Sequence, residues 1–145
     1  MIPFESFNLL AIGFVIAMTA ILGLIVFLNN NKSVTNRTFL GFAMLTVIYT
    51  AANYAQVQIG DPAAGLWILR LTVFIAVWHA FSLFQLFYVF PKDAAVFGRA
   101  YRALLIPATV VVAFLTLTPL VFRSVADVSV TGQILKIDNG PAIGL

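Results

Sequence analysis

The chain has 145 residues, of which 62% are hydrophobic and only 9% are charged. An ordinary soluble domain carries about 25% charged residues, so lipid rather than water must surround much of this chain. The net charge of +3 comes from scattered residues that form no basic cluster, which argues against a nucleic-acid partner. The absence of cysteine excludes disulfides and thiolate metal sites.

Four apolar segments are long enough to cross a bilayer as helices. A hydrocarbon core of about 30 Å requires roughly 20 apolar residues, and this length is reached by residues 8–28, 38–59, 66–90 and 102–122. Strands that face lipid would alternate polar and apolar residues, which these segments do not. The sequence therefore predicts an all-α membrane protein, built as a polytopic transmembrane helical bundle in a single membrane domain.

Several of the predicted helix ends carry local signals. Asp61 followed by Pro62 is typical of an N-cap and a first helical position, so the third helix is expected to begin there. Pro91 should end the same helix, because proline cannot continue the amide ladder. The second helix is expected to begin in the polar turn after the first, with its N-cap at Ser33, Thr35 or Asn36.

The fourth segment contains two prolines, Pro107 and Pro119. Each proline leaves the carbonyl four residues earlier without its helical partner. Membrane bundles tolerate such positions because neighbouring groups satisfy the freed carbonyl. We therefore expect two bends inside one continuous fourth helix.

The character of the chain changes after the fourth segment. Residues 123–139 are rich in β-branched side chains, and Thr131–Gly132 is a turn signal between VSV and ILKI. This pattern predicts a short extracytoplasmic β-hairpin. Residues 140–145 then resemble the start of a fifth helix that is cut short, so we expect the sequence to be part of a longer protein.

The basic residues of the loops predict the orientation in the membrane. Three lie on one side of the four predicted spans: Arg70, Arg123 and Lys136. Five lie on the other side: Lys32, Arg37, Lys92, Arg99 and Arg102. The side with five is assigned to the cytoplasm, which leaves the N-terminus outside. Arg70 lies one turn inside its segment, and we expect it to extend to the headgroups rather than to pair with Asp61.

The order of these features resembles the N-terminal seven-transmembrane sensor region of bacterial histidine kinases. The resemblance rests on NNNKSVTNRTFLGFAMLTVIYTAANYAQ, on WILRLTVFIAVWHAFSLFQLFYVFPK, and on the basic turn FPKDAAVFGRAYR followed by an outer hairpin and Gly140–Pro141. It covers the first four of seven spans. It implies a multi-pass protein of the bacterial inner membrane, joined to a cytoplasmic output region. That region would dimerise and carry a phospho-accepting histidine and an ATP-binding domain, or in relatives a cyclase. His79 lies within a span and is not that histidine.

Polar side chains form one stripe on each of two neighbouring helices. On the third helix the i, i+3, i+6 spacing places three of them on one flank, and on the second helix i, i+4, i+7 spacing does the same. Polar groups at membrane depth turn away from lipid and seek partners, so the two stripes are expected to face each other. The residues are Tyr49, Asn53 and Gln56 on the second helix and His79, Ser82 and Gln85 on the third.

This polar cluster has two interpretations. The first is packing, in which interhelical hydrogen bonds contribute about 0.6 kcal/mol each. The second is a sensing pocket or a proton-sensitive site, because imidazole changes its charge close to neutral pH. Gly13, Ala17 and Ala20 similarly give the first helix a small-residue face, which predicts close helix packing, with a dimer interface as the alternative.

Catalytic and cofactor signatures are absent from the sequence. With one histidine, no cysteine and five acidic residues, it offers no metal-ligand set, no nucleophile triad and no glycine-rich phosphate loop. We predict no catalysis and no cofactor in this segment. The leading hypothesis is a sensor and transducer module whose partners are the bilayer, a small-molecule or membrane-state signal and a second copy held through the output region. The alternatives are a small transporter or channel subunit and a structural anchor subunit.

Overall fold

The computed structural model describes residues 4–91, 93, 97–128 and 134–144. The main helices are α1 (Phe4–Asn29), α2 (Val34–Gln58), α3 (Pro62–Val89) and α4 (Ile106–Thr116), and a π-helical turn (Tyr101–Leu105) leads directly into α4. Two antiparallel strands follow, β1 (Phe122–Val128) and β2 (Ile134–Asn139), and then a 3₁₀ turn (Pro141–Gly144). The described chain is thus mainly helical, with one small two-stranded sheet.

Three of the helices are long and apolar enough to cross a membrane: Asn8–Asn29, Val34–Gln58 and Pro62–Val89. Many large apolar side chains on them face outward, including Leu10 and Leu28 at 71% exposed and Phe87 at 70%. The buried hydrophobic set is small and consists of Ala43, Leu69, Val89, Tyr101 and Ala113. A water-soluble fold would hide more of this surface, so the packing agrees with the composition.

Consecutive helices pack against each other, and the most extensive interface is that between α2 and α3. Helices α1 and α2 approach closely at Gly23, where a Cβ atom would lie 2.7 Å from Ala43 Cβ. The small-residue face predicted around Gly13 is not used in this way, because a Cβ at Gly13 would meet nothing within 4 Å among the described residues and Ala17 is exposed. Gly23 therefore allows the close packing of α1 against α2.

The local helix signals are confirmed. Ser33 is the N-cap of α2, and its hydroxyl accepts a hydrogen bond from the Asn36 backbone N–H at 3.2 Å. Asp61 caps α3 by accepting from the Ala64 backbone N–H at 2.7 Å, with Pro62 in the first turn. Helix α3 ends at Val89, immediately before the Phe90–Pro91 pair.

The fourth helix is shorter than predicted. It ends at Thr116, so the prediction of a helix through residue 122 with Pro119 inside it is wrong. A residue before proline is driven out of the helical region, which stops the helix ahead of Thr118. The last carbonyls are then satisfied by side chains, since the Thr116 hydroxyl donates to the Ala113 carbonyl and the Thr118 hydroxyl to the Leu115 carbonyl, each at 2.7 Å.

Pro107 lies in the first turn of α4, immediately after the π-helical turn. In that turn the Ile106 backbone N–H donates to the Tyr101 carbonyl, five residues back. Proline cannot donate to the carbonyl four residues before it, and a widened turn is a common way to accommodate such a gap. The bend predicted at Pro107 thus lies next to the change from the π-helical turn to the α-helix of α4.

The hairpin is confirmed, but its first strand begins earlier than the VSV motif. β1 starts at Phe122, and its register with β2 is interrupted by irregularities along its length. The predicted turn at Thr131–Gly132 lies outside the described residues. Gly140 is buried against the backbone carbonyls of Pro119 and Leu120, and only a short 3₁₀ turn follows it where a fifth helix was expected to begin.

Candidate functional site

His79 faces α2 from the middle of α3 and lies between two aromatic rings. The Phe42 ring stacks on one side with its centroid 5.0 Å from that of the imidazole, and the Tyr49 ring stacks on the other at 5.5 Å. The planes deviate from parallel by 15° and 7°. Because Phe42 and Tyr49 lie seven residues apart on α2, two helical turns present both rings on one face.

The imidazole also hydrogen-bonds across the helix interface. His79 Nε2 lies 3.0 Å from Thr46 Oγ1. The Thr46 hydroxyl is 2.9 Å from the Phe42 carbonyl, to which it donates its proton. Which of the two groups donates in the contact between Thr46 and His79 depends on the tautomer of the imidazole. The contact is directional in either case, and it specifies both the rotation of α3 and the position of Thr46 on α2.

The predicted polar cluster comes together only in part. His79 and Tyr49 meet across the α2–α3 interface, as expected. Ser82 is buried, but its hydroxyl donates to the His79 carbonyl of its own helix at 2.7 Å. Asn53 is exposed, whereas Gln56 and Gln85 are half-buried, and none of these three makes a side-chain hydrogen bond within the described part of the chain. The six residues do not form a single network there.

Two partners of His79, Phe42 and Thr46, were missed by the sequence reasoning. The predicted polar stripe on α2 extends from Tyr49 toward the C-terminus of the helix. The residues that contact His79 instead extend from Tyr49 toward its N-terminus. The spacing of 42, 46 and 49 is an i, i+4, i+7 pattern. Thr46 was the available signal, because it is the polar member of that pattern.

A hydrogen-bonded junction, formed by Ser33, Thr35, Asn36 and Asp93, joins the ends of three helices. The Asp93 carboxylate accepts from the Ser33 hydroxyl and from the Thr35 backbone N–H, both at 2.7 Å. The Asp93 backbone N–H donates to the Val89 carbonyl at the end of α3. The Asn36 side chain donates to the Val26 and Asn30 carbonyls at the end of α1.

The junction changes the chemistry of Asp93. The hydrogen bond from the Thr35 backbone N–H, followed by that from the Ser33 hydroxyl, holds the pKa of the Asp93 carboxyl below its ordinary value. A negative charge at the start of α2 also interacts favourably with the positive end of the helix dipole. Asp93 therefore stays ionised at neutral pH and fastens the loop after α3 to the beginning of α2.

The junction also places the predicted cytoplasmic loops at one end of the helices. Lys32 and Arg37 flank the turn before α2, and the same junction holds the loop that leads to Arg99 and Arg102. Of the five topology-determining basic residues, Lys92 lies outside the described residues. The remaining four are exposed, as expected for side chains that contact water or headgroups.

Arg70 lies near the opposite end and turns inward. Its side chain is buried, and Nη2 donates to the Phe122 carbonyl at the start of β1 at 2.6 Å. The guanidinium carbon lies 5.2 Å from the centre of the Trp67 ring, within the range of a cation–π contact. The guanidinium thus binds a backbone carbonyl of the neighbouring strand, and the prediction that Arg70 extends to the headgroups rather than to Asp61 stays a prediction.

Aromatic side chains join the second half of α3 to the π-helical turn. Tyr101 is the centre of this cluster and contacts Phe81, Phe84, Tyr88 and Phe97, with ring centroids 4.5 to 6.2 Å away. The Tyr101 hydroxyl is enclosed and has no hydrogen-bond partner within the described residues. The cluster holds α4 against α3 by apolar contact.

An open groove of about 380 Å³ runs between α3 and α4. Its only polar lining side chain is Thr109, whose hydroxyl is already bonded to the Leu105 carbonyl at 2.8 Å. The groove can therefore contact only apolar groups. It is lined by Val77, Ala80, Phe81, Phe84, Leu105, Ala108, Thr109 and Val112.

The described residues contain no group of three histidine, cysteine or acidic side chains that could hold a metal ion. The candidate site contains a hydrogen-bonded and stacked histidine, His79, between α2 and α3. The charged junction at Asp93 lies at one end of these helices, and the buried Arg70 lies near the other end. Comparison with family models, with characterised proteins and with solved structures finds no match to this chain.

Proposed function

We propose that the chain is the membrane sensor and transducer module of a bacterial signalling protein, in the N-terminal part of a sensor histidine kinase, and is non-catalytic in itself. The observation that carries the proposal is the contact of His79 with α2. It is a directional polar contact between two helices that are otherwise joined mainly by apolar packing. Such a contact favours one relative rotation of the helices, which a signal can change.

A transducer needs two helix arrangements, and its signal must bind or favour one of them. In the arrangement described here, Thr46 and the Phe42 and Tyr49 rings hold the imidazole. Rotation of α3 by one residue, about 100°, would carry His79 away from all three. The junction at Asp93 joins the N-terminus of α2 to the C-terminus of α3, so this end would transmit such a movement to the loop before α4.

The proposed placement is the bacterial inner membrane with the N-terminus outside, and single-cysteine labelling tests it. The chain contains no native cysteine, so Lys32→Cys and Arg123→Cys each introduce one reactive position. We expect an impermeant maleimide to label the cysteine at position 123 in intact cells and to label the one at position 32 only after lysis. The reverse pattern would contradict the orientation.

The signalling role is tested on the full product of the gene in lipid nanodiscs. We expect ATP to phosphorylate it on a histidine other than His79, and we expect His79→Ala and Thr46→Val to shift the phosphorylation level in the same direction. Asn53→Leu serves as the comparison, because Asn53 is exposed. A product that takes up no phosphate contradicts the kinase assignment. Phosphorylation that neither His79→Ala nor Thr46→Val changes contradicts the role of His79.

The second candidate is a small transporter or channel subunit. It is favoured by the π-helical turn ahead of Pro107, because interrupted membrane helices often line transport sites. A solute-flux assay in sealed vesicles separates it from the sensor module. A product with neither phosphorylation nor flux that co-purifies with a larger complex would instead be an anchor subunit.

A further inference from the structure

Arg70 is buried without a counter-charge. Only 5% of its surface is exposed, and within the described residues its single hydrogen-bond acceptor is the Phe122 carbonyl. No carboxylate of the described chain forms an ion pair with it. A buried cation whose charge is not neutralised is strongly destabilising, and a carbonyl supplies only a partial negative charge. The described residues therefore provide no anionic partner for the Arg70 guanidinium.

Two of the three guanidinium nitrogens, Nε and Nη1, make no hydrogen bond within the described residues. Arg70 Nε is enclosed and has no acceptor. Nη1 also makes no hydrogen bond within the described residues, but it is not among the enclosed atoms. A guanidinium with free N–H groups binds carboxylate or phosphate oxygens through short, charge-assisted hydrogen bonds. The open side of Arg70 thus fits an oxyanion that approaches through Nη1.

Arg70 lies near one end of α3, within side-chain reach of a membrane interface. Helix α3 has 28 residues and is therefore about 42 Å long, which exceeds a hydrocarbon core of about 30 Å. Arg70 lies eight residues after Pro62, about 12 Å along the helix, which is about 6 Å inside a core of about 30 Å centred on the helix; a long arginine side chain can span that distance to the interface. Trp67, one turn nearer the helix start, is 60% exposed, as is typical of aromatic residues at a membrane interface.

We propose that Arg70 is an oxyanion site between α3 and β1. The phosphate of an anionic phospholipid headgroup, or a free phosphate, binds there and neutralises the charge of the guanidinium. Trp67 and the Phe122 carbonyl hold the guanidinium in place for this ligand. The lipid source rests on the membrane placement proposed above. Carbonate extraction of membranes tests that placement separately, because a chain that does not insert fails there before any ligand is added.

The first arm of the test measures lipid retention by the full chain. Wild-type protein, Arg70→Gln and Arg123→Gln are purified from mixed phosphatidylglycerol and phosphatidylcholine, and the retained lipids are counted by native mass spectrometry. Arg123 is exposed and directly follows Phe122, so its substitution removes the same charge nearby. We expect Arg70→Gln to reduce phosphatidylglycerol retention roughly tenfold or more, and Arg123→Gln to leave it nearly unchanged.

The second arm uses inorganic phosphate in neutral detergent and follows thermal unfolding at constant ionic strength. Stabilisation of the wild type but not of Arg70→Gln by phosphate, without any preference among lipids, would identify free phosphate as the ligand. The proposal is overturned if neither phosphatidylglycerol nor phosphate distinguishes the wild type from Arg70→Gln, or if Arg123→Gln has an equal effect. If Arg70→Gln does not fold, Arg70→Lys replaces it, since it keeps the charge but loses Nε, and it is expected to bind more weakly than the wild type.

Discussion

The Asp93 carboxylate and the Ser33 hydroxyl form a hydrogen bond of 2.7 Å between residues that lie 60 positions apart in the chain. This bond fastens the loop after α3 to the N-cap of α2. Because Ser33 also accepts from the Asn36 backbone N–H, one hydroxyl serves both a local cap and a long-range contact. The arrangement explains why Ser33 is buried although it lies in a turn.

Asp93 substitutions should separate the charge of the junction from its geometry. Asp93 has a φ of 49°, in the left-handed region that Asn and Asp tolerate best, so Asp93→Asn keeps both the backbone and one acceptor oxygen. We expect Asp93→Asn to lower the melting temperature near neutral pH and Asp93→Ala to lower it further. Asp127→Asn, at an exposed position of β1, is the control and should have little effect.

The effect of Asp93→Asn should depend on pH with a definite sign. The folded-state pKa of Asp93 is lowered, so its contribution to stability is present above the ordinary carboxyl pKa and is lost as the pH falls through the lowered value. We therefore expect the melting temperatures of wild type and Asp93→Asn to converge in acid. A difference that stays constant from neutral to acidic pH would contradict the role of the ionised carboxylate.

Thr46→Val should weaken the contact between α2 and α3. The substitution keeps the shape of the side chain but removes the hydroxyl that hydrogen-bonds with His79 Nε2. Hydrogen bonds between membrane helices contribute about 0.6 kcal/mol on average and up to about 1.7 kcal/mol, so we expect a loss of free energy of unfolding within that range. Denaturant titration followed by circular dichroism measures it. Asn53→Leu should be neutral, and equal losses in the two variants would argue against a specific His79 contact.

Gly23→Ala should be destabilising, whereas Gly13→Ala should not. A Cβ at Gly23 would lie 2.7 Å from Ala43 Cβ and force α1 away from α2, while the described residues leave open space at Gly13. Overpacking of this kind costs about 1–3 kcal/mol. Gly13→Ala is expected to be neutral or slightly stabilising. Denaturation of the two variants in the same detergent decides the matter, and equal stabilities would contradict the close approach at Gly23.

Tyr101→Phe should maintain or increase stability. The Tyr101 hydroxyl is enclosed without a partner in the described chain, and burial of an unbonded hydroxyl costs about 1–3 kcal/mol. Its removal leaves the ring contacts with Phe97 and Phe81 in place. Thermal unfolding of the variant is the measurement. A clear loss of stability would mean that the hydroxyl has an acceptor outside the described residues.

Gly140→Ala should detach the hairpin from the end of α4. A Cβ at this position would collide with the backbone carbonyls of Pro119 and Leu120, which cannot move aside as a flexible side chain can. We expect faster hydrogen exchange in β1 and β2 and earlier proteolysis after α4. Gly98→Ala is the matched control, because a Cβ there meets nothing within 4 Å among the described residues. Unchanged exchange in the hairpin would show that the backbone adjusts.

Features that depend on residues close together in the chain could be predicted from the sequence alone. Ser33 and Asp61 act on backbone groups three positions ahead, and Pro91 follows the end of its helix directly, so composition and short spacing were enough to place these helix ends. The apolar runs predicted four membrane-spanning helices, and three of these are long and apolar enough to cross a membrane, whereas the fourth is shorter. Pro119 carried the signal for an earlier end of α4, but the length of the apolar run obscured it.

The long-range contacts between side chains could not be predicted from the sequence. The partners of His79, Arg70 and Asp93 lie 33, 52 and 60 positions away, and each contact depends on how the helices and the hairpin are rotated against one another. In a largely apolar chain many rotations bury similar surface, so the hydrophobic pattern does not choose among them. The few polar groups do, because a hydrogen bond is directional and an unpaired polar group away from water is costly.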